Sequence, residues 1–221
     1  MPHPKGGYRN SKGERVPSVT TITGRFKEAG GLMWWAFTQG QAAERGEISG
    51  LYDKRDEAAD AGTLAHSLVE AYIKGAEQPQ IPDTEAGEQA MKGFHNFLNW
   101  REDNRLVIIA QEAELVSEKY QFGGCPDAVA LNSRGEIVLL DWKTSSGVYV
   151  GSMLQVAAYK ELWNENHPDS PITGGCHICR FDKQTADFAH RFWGDLQEAW
   201  EMFLLLRRAY DLDKKLKRRI K

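Results

Sequence analysis

The apolar positions of this chain change period midway, dividing it into a helical first half and a strand-bearing second half. Residues 1–17 show no core-facing pattern; Gly6, Gly7 and Gly13 punctuate a polar stretch that reads as a flexible arm. Val16 to Thr23 is β-branched and reads as a short strand or as an extended lead into a helix. Helix formers then run from Leu32 to about Glu47, with Trp34 and Trp35 adjacent. Neighbouring tryptophans on a helix point in different directions, so core packing outweighs base stacking for at least one of them. Asp56 to Lys74 is the clearest amphipathic helix, with Leu64, Ala65, Leu68, Val69 and Tyr72 forming an apolar stripe. A loop with Pro79 and Pro82 leads to a second helix, Glu85 to Asn104, whose apolar face carries Phe94, Phe97, Leu98 and Trp100, with His95 as packing or surface.

After Asn104 the spacing becomes strand-like. Leu106–Tyr120, Gln121–Asn132 after a Gly-Gly turn, and Glu136–Thr144 across the turn Asn132–Gly135 predict a three-stranded antiparallel meander. A helix from Ser152 to Asn164 follows. Strands from about Ile172 to Phe181 and Asp187 to Trp193, then a long helix from about Gly194 to Lys217, close the chain. The order helix, three strands, helix, strand is an α/β core with extra N-terminal helices and a C-terminal helix around it. At 221 residues the chain suits one domain, 1–221, with its core over 56–193.

Composition narrows the class. With 41% hydrophobic and 27% charged residues, and no apolar run near the ~20 residues of a membrane span, the sequence is that of a globular protein. The polar start and the three cysteines, Cys125, Cys176 and Cys179, predict a reducing, cytoplasmic setting. A net charge of −3 does not advertise a polyanion partner. Six of the last eight residues are nevertheless basic (Lys214, Lys215, Lys217, Arg218, Arg219, Lys221), either a contact for nucleic acid or a solvated helix end that complements the helix dipole.

The candidate chemistry lies between Gly123 and Tyr159. Asp127 opens one strand and Asp141 ends the apolar run Ile137–Leu140 of the next, with Lys143 two residues on. Positions i and i+2 share a strand face, so Asp141 and Lys143 project together and Trp142 points away. One Asp-Lys pair would be an ordinary surface ion pair. Two aspartates on adjacent strands repel, and a divalent cation resolves that repulsion. Gln155 and Tyr159 share a helix face, although Ser152–Gln155 also fits a capping box that would divert the glutamine. His66 borders the apolar stripe of its helix, with Gly62 one turn back and Glu70 one turn on; alone, it reads as structural.

Gly-Thr-x-x-His at Gly62 to His66, Gly-x-x-Asp at Gly124 to Asp127, Asp-x-Lys at Asp141 to Lys143 and Gln-x-x-x-Tyr at Gln155 to Tyr159 occur in one order over about 100 residues. Together they resemble the PD-(D/E)XK nuclease superfamily, with the RecB-type exonucleases, which include the mitochondrial genome maintenance exonuclease and many phage-encoded nucleases, as the most similar branch. The resemblance implies a restriction-endonuclease-like core and a divalent-metal-dependent deoxyribonuclease, an exonuclease on single-stranded or end-frayed DNA. It implies His66, Asp127, Asp141 and the Trp142 backbone carbonyl as ligands of Mg²⁺ or Mn²⁺. Lys143 would activate the attacking water, and Gln155 and Tyr159 would support the site and contact DNA. Glu112 and Glu114 would stand behind the ligands. A recombination or replication protein is a further expected partner. Relatives with an iron–sulfur cluster need four cysteines. Three are present, and Cys176 and Cys179, three apart on a strand, face opposite sides, which excludes a cluster and argues against zinc. The rival readings are a DNA-binding recombination-accessory protein without turnover and an endonuclease on the same fold.

Overall fold

The computed structural model describes residues 4, 6–27, 30–47 and 53–220. A five-stranded mixed sheet lies between two helical layers. Its order is β1 (Val107–Gln111), β4 (Ala128–Leu131), β5 (Ile137–Thr144), β6 (Cys176–Phe181), β7 (Phe188–Trp193). All neighbours are antiparallel except β5 and β6, which run parallel because α5 (Val150–Asn166) crosses over between them. This central pair is covered on both faces, which explains the unbroken apolar run Ile137–Leu140 and the burial of Cys176–Cys179, His177 included. The α/β order expected from the sequence, with its long C-terminal helix, is the observed one.

One face packs against α3 (Asp53–Lys74) and α4 (Glu85–Asp103), whose Ala65, Leu68, Val69 and Phe97 meet Val138, Leu140, Trp142 and Phe181. The other packs against α5, α1 (Val19–Arg25) and α6 (Gln197–Arg219), where Ile22, Val156, Leu162 and Phe203 meet Leu139 and Ile178. Cys176 and Cys179 fall in these opposite cores, as strand alternation requires. Among the described residues no helix is long and apolar enough to cross a membrane.

Three expectations are corrected. The first two strands of the meander are each broken. Glu112 adopts a left-handed conformation, with φ of 46°, between β1 and β2 (Leu115–Ser117). Pro126, with no N–H for a ladder, separates β3 (Phe122–Gly124) from β4. β2 and β3 form a separate hairpin, and its turn is at Ser117–Gln121. Gly123 and Gly124 instead sit inside β3, because a Cβ would lie 2.3 Å from the Tyr8 side chain in one case and 2.6 Å from the Tyr159 ring in the other.

The segment read as an arm is instead anchored to the body of the protein at Tyr8 and Asn10. Both are buried, Arg9 bridges to Arg15, and the Asn10 amide donates 2.8 Å to Gln121 Oε1. Residues 1–3 and 5 lie outside the described residues. Val16–Thr23 resolves as an extended lead into a helix, capped where the Ser18 hydroxyl accepts from the Thr21 N–H. In α2 (Gly30–Glu44), Trp34 is 67% exposed and meets Phe37 rather than a core. On α6, Lys214, Lys215, Lys217, Arg218 and Arg219 are exposed, while Lys221 lies outside the described residues.

Candidate active site

The β4–β5 register pairs Ala128 with Leu140, and its continuation sets Asp127 opposite Asp141. Both are interior, at 2% and 0% exposure. Asp127 ties the strands together, its Oδ2 accepting from the Trp142 backbone N–H at 2.7 Å. Among the described residues its Oδ1 has no hydrogen-bond partner, and neither has Oδ1 of Asp141. Burial, then the charge of Asp141, pushes the Asp127 carboxyl up to about 8. Burial also raises Asp141, against the pull of Lys143 and His66. Lys143 Nζ stands 2.6 Å from Asp141 Oδ2 and is itself mostly covered. Trp142 points to the opposite core and meets Phe97 edge-on at 5.1 Å.

His66 arrives from α3 through a close approach. The Gly62 N–H donates to the Lys183 carbonyl and the Thr144 hydroxyl donates to the Gly62 carbonyl, both at 3.4 Å. A Cβ at Gly62 would sit 2.4 Å from the Asp182 carbonyl oxygen, so only glycine allows the helix to lie this close to the ends of β5 and β6. One turn on, His66 enters the electrostatic neighbourhood of Asp141 and Lys143. Among the described residues its buried Nε2 has no hydrogen-bond partner, with the Glu70 carboxylate 3.8 Å away. Burial lowers its pKa, opposed by Glu70. A neutral imidazole with a free nitrogen is the form that ligates.

α5 forms the wall. Tyr149 is its N-cap residue, so Ser152 lies inside the helix and the capping alternative for Gln155 is removed. Gln155 Nε2 donates instead to the Tyr159 hydroxyl at 2.9 Å, with both residues buried. Tyr159 fills the space that Gly124 leaves open. Burial first, then the charge of Asp141, raises its pKa. The Glu112 side chain turns to Lys74 at 2.9 Å, while its backbone N–H donates to the Asp127 carbonyl at 3.1 Å. It therefore holds the backbone of Asp127 without facing its carboxylate. Glu114 is exposed.

Sequence reasoning missed Tyr8, which covers Gly123 and whose pKa is raised by burial and then by the charges of Cys125 and Glu114. An aromatic residue inside a Gly-rich arm was the available signal. Glu70 was visible as a helical neighbour of His66, but its reach toward Asp127 depends on how α3 docks.

Among the described residues no three His, Cys, Asp or Glu side chains close to a metal-binding group. The donor chemistry nevertheless fits a divalent cation. Two buried carboxylates and an imidazole each carry an atom without a partner, and the pair of charges is tolerable only if one is protonated or a cation intervenes. The Lys143 ammonium takes part of that role here. A surface cleft of about 630 Å³ lined by Ile81, Met91 and His95 lies elsewhere.

No protein-family model and no curated protein matches the sequence. Solved structures with partial likeness include a "putative exonuclease" from Eubacterium rectale, 17% identical, with a TM-score of 0.44 over 67% of this chain and 68% of that one. Another is an alkaline exonuclease from Laribacter hongkongensis, 10% identical, with a TM-score of 0.28 over 75% and 92%. The same enzyme in complex with dAMP is 12% identical, with a TM-score of 0.26 over 75% and 92%. At such scores these likenesses assign no residue and no activity.

Proposed function

We propose that this protein is a divalent-metal-dependent deoxyribonuclease, an exonuclease that hydrolyses phosphodiester bonds of single-stranded or end-frayed DNA. The observation that carries the reading is the buried Asp127–Asp141 pair beside Lys143 and His66, with carboxylate oxygens and an imidazole nitrogen that have no partner among the described residues. His66, Asp127, Asp141 and the Trp142 carbonyl would hold Mg²⁺ or Mn²⁺, which suit oxygen ligands and, for manganese, an imidazole. When bound, such an ion supplies charge neutralisation of the phosphate and a more acidic attacking water.

The side chains then divide the work. Lys143, held against Asp141, would donate to the attacking water and balance the negative charge that grows on the phosphate oxygens. Asp127, anchored by the Trp142 N–H, fixes the spacing of the two strands under load. Tyr159 accepts from Gln155, which leaves its own O–H as a donor for a phosphate oxygen or a carboxylate.

The test is incubation of end-labelled DNA with Mg²⁺ or Mn²⁺, comparing the native protein with Asp141→Ala and Lys143→Ala. Each substitution is expected to lower the rate about 100-fold or more. Equal rates in all three would remove these residues from the chemistry. A covalently closed single-stranded circle separates the modes, since an exonuclease leaves it intact.

A further inference from the structure

Helix α6 carries two apolar faces, and the protein itself uses one. Ala199, Trp200 and Phe203 are buried against the core. At 100° per residue, Met202, Leu205, Ala209, Leu212, Leu216 and Ile220 fall in a separate arc of about 80°, running about 27 Å along the helix. Leu205 is 71% exposed, Leu216 56% and Ile220 84%, with Met202 and Leu212 also exposed. The lysines and arginines of the last turns account for solubility there but not for a leucine row beside them.

The charges along this row say what covers it. Exposed Glu198 and Glu201 lie at its beginning, Arg208 at its middle, and Lys215 and Arg219 toward its end. Among the described residues none of these five has an oppositely charged partner; Glu201 accepts only from the neutral Gln197 amide at 3.1 Å. Neighbouring ions are paired instead, Lys217 with Asp213 at 3.2 Å and Arg207 with Asp211 at 2.5 Å. An apolar row with an acidic start and a basic end is complementary to itself when reversed.

We propose that the chain forms a two-fold dimer by antiparallel pairing of this face of α6 with that of a second copy. A two-fold axis between Arg208 and Ala209 sets Leu205 against Leu212 of the second copy, and Glu198 against its Arg219. In an antiparallel helix pair the same flank of each helix meets the other. Glu201, Arg208, Lys215 and Arg219 all lie on one flank, so Glu201 meets Lys215 of the second copy, while Arg208 at the axis meets its own counterpart, a like-charged contact that the two Glu201–Lys215 pairs flank. A cleft of about 320 Å³ between α5 and the start of α6, lined by Val150, Met153, Leu196 and Met202, continues the row and lies where Ile220 of the second copy arrives. The interface is isologous, so every contact occurs twice.

Sedimentation velocity on the full chain, from low to high micromolar concentration, tests this. The native protein is expected to show a concentration-dependent dimer. Leu205→Glu with Leu212→Glu should raise the dissociation constant at least about 30-fold, the loss of one strong interface contact, while circular dichroism shows an unchanged fold. Glu201→Lys alone should weaken the dimer, and Glu201→Lys with Lys215→Glu should restore it. A native protein that stays monomeric at every concentration would overturn the proposal, including the case in which the row binds DNA or another protein. A dimer indifferent to the two leucine changes, or a charge swap that fails to restore it, would do the same.

Discussion

Replacing Asp127 by Asn in the metal-free protein should stabilise it, and the effect should grow with pH. The Asp127 carboxyl is pushed from 3.8 up to about 8 by burial and by Asp141. The folded chain therefore keeps a proton that the unfolded chain releases. A raised carboxyl contributes its stability fully below pH 3.8 and loses it progressively up to about pH 8. Each pH unit in that window costs about 1.4 kcal/mol, so at neutral pH the accumulated cost is about 4 kcal/mol. Asparagine keeps an oxygen to accept from the Trp142 N–H, now 2.7 Å from Asp127 Oδ2, and does not titrate. In EDTA, urea midpoints at pH 5 and pH 8 should show Asp127→Asn gaining on the native chain by several kcal/mol between the two. Mg²⁺ should reverse the order at pH 8, because an ion that binds only the folded state stabilises it by mass action. An Asp127→Asn protein that is less stable than the native one in EDTA at pH 8 would show that the buried charge is not under strain.

Gly62→Ala would press a methyl group toward the Asp182 carbonyl oxygen, so α3 must shift; a loss of about 1–3 kcal/mol is expected by denaturation, with the proposed nuclease activity falling more than stability explains. Tyr159→Phe removes the acceptor of the Gln155 amide at a cost of about 1–2 kcal/mol, and a calorimetric scan together with a rate assay would separate this from its contribution to substrate binding. His177 and His190 contact each other at 2.8 Å, and burial, then the neighbouring His190, lowers His177 to about 4. A lowered histidine contributes stability above pH 6.5 that is lost as pH falls toward 4, so His177→Gln should flatten the acid limb of an unfolding titration. An unchanged acid limb would assign that sensitivity to other groups.

Relations between near neighbours were legible in the sequence because backbone geometry fixes them. Two residues apart on a strand put Lys143 beside Asp141 and sent Trp142 to the other core. Four apart on a helix brought Gln155 to Tyr159, and three apart on a strand separated Cys176 from Cys179. The apolar run Ile137–Leu140 announced β5, and the helix that follows it gave the α/β order of the core.

Only the tertiary structure decided the rest, because burial and register depend on what arrives from elsewhere in the chain. A Gly-rich, polar start gives no sign that Tyr8 will cover Gly123, and adjacent tryptophans give no sign that Trp34 will face solvent. The breaks at Glu112 and Pro126 lie inside stretches whose alternation is continuous on paper. Asp127 and Asp141 became a strained pair through the β4–β5 register and the loss of water around them, and His66 joined them because Gly62 lets α3 approach the ends of β5 and β6. Residue types and spacing by themselves determined which groups could react, and packing decided which of them meet.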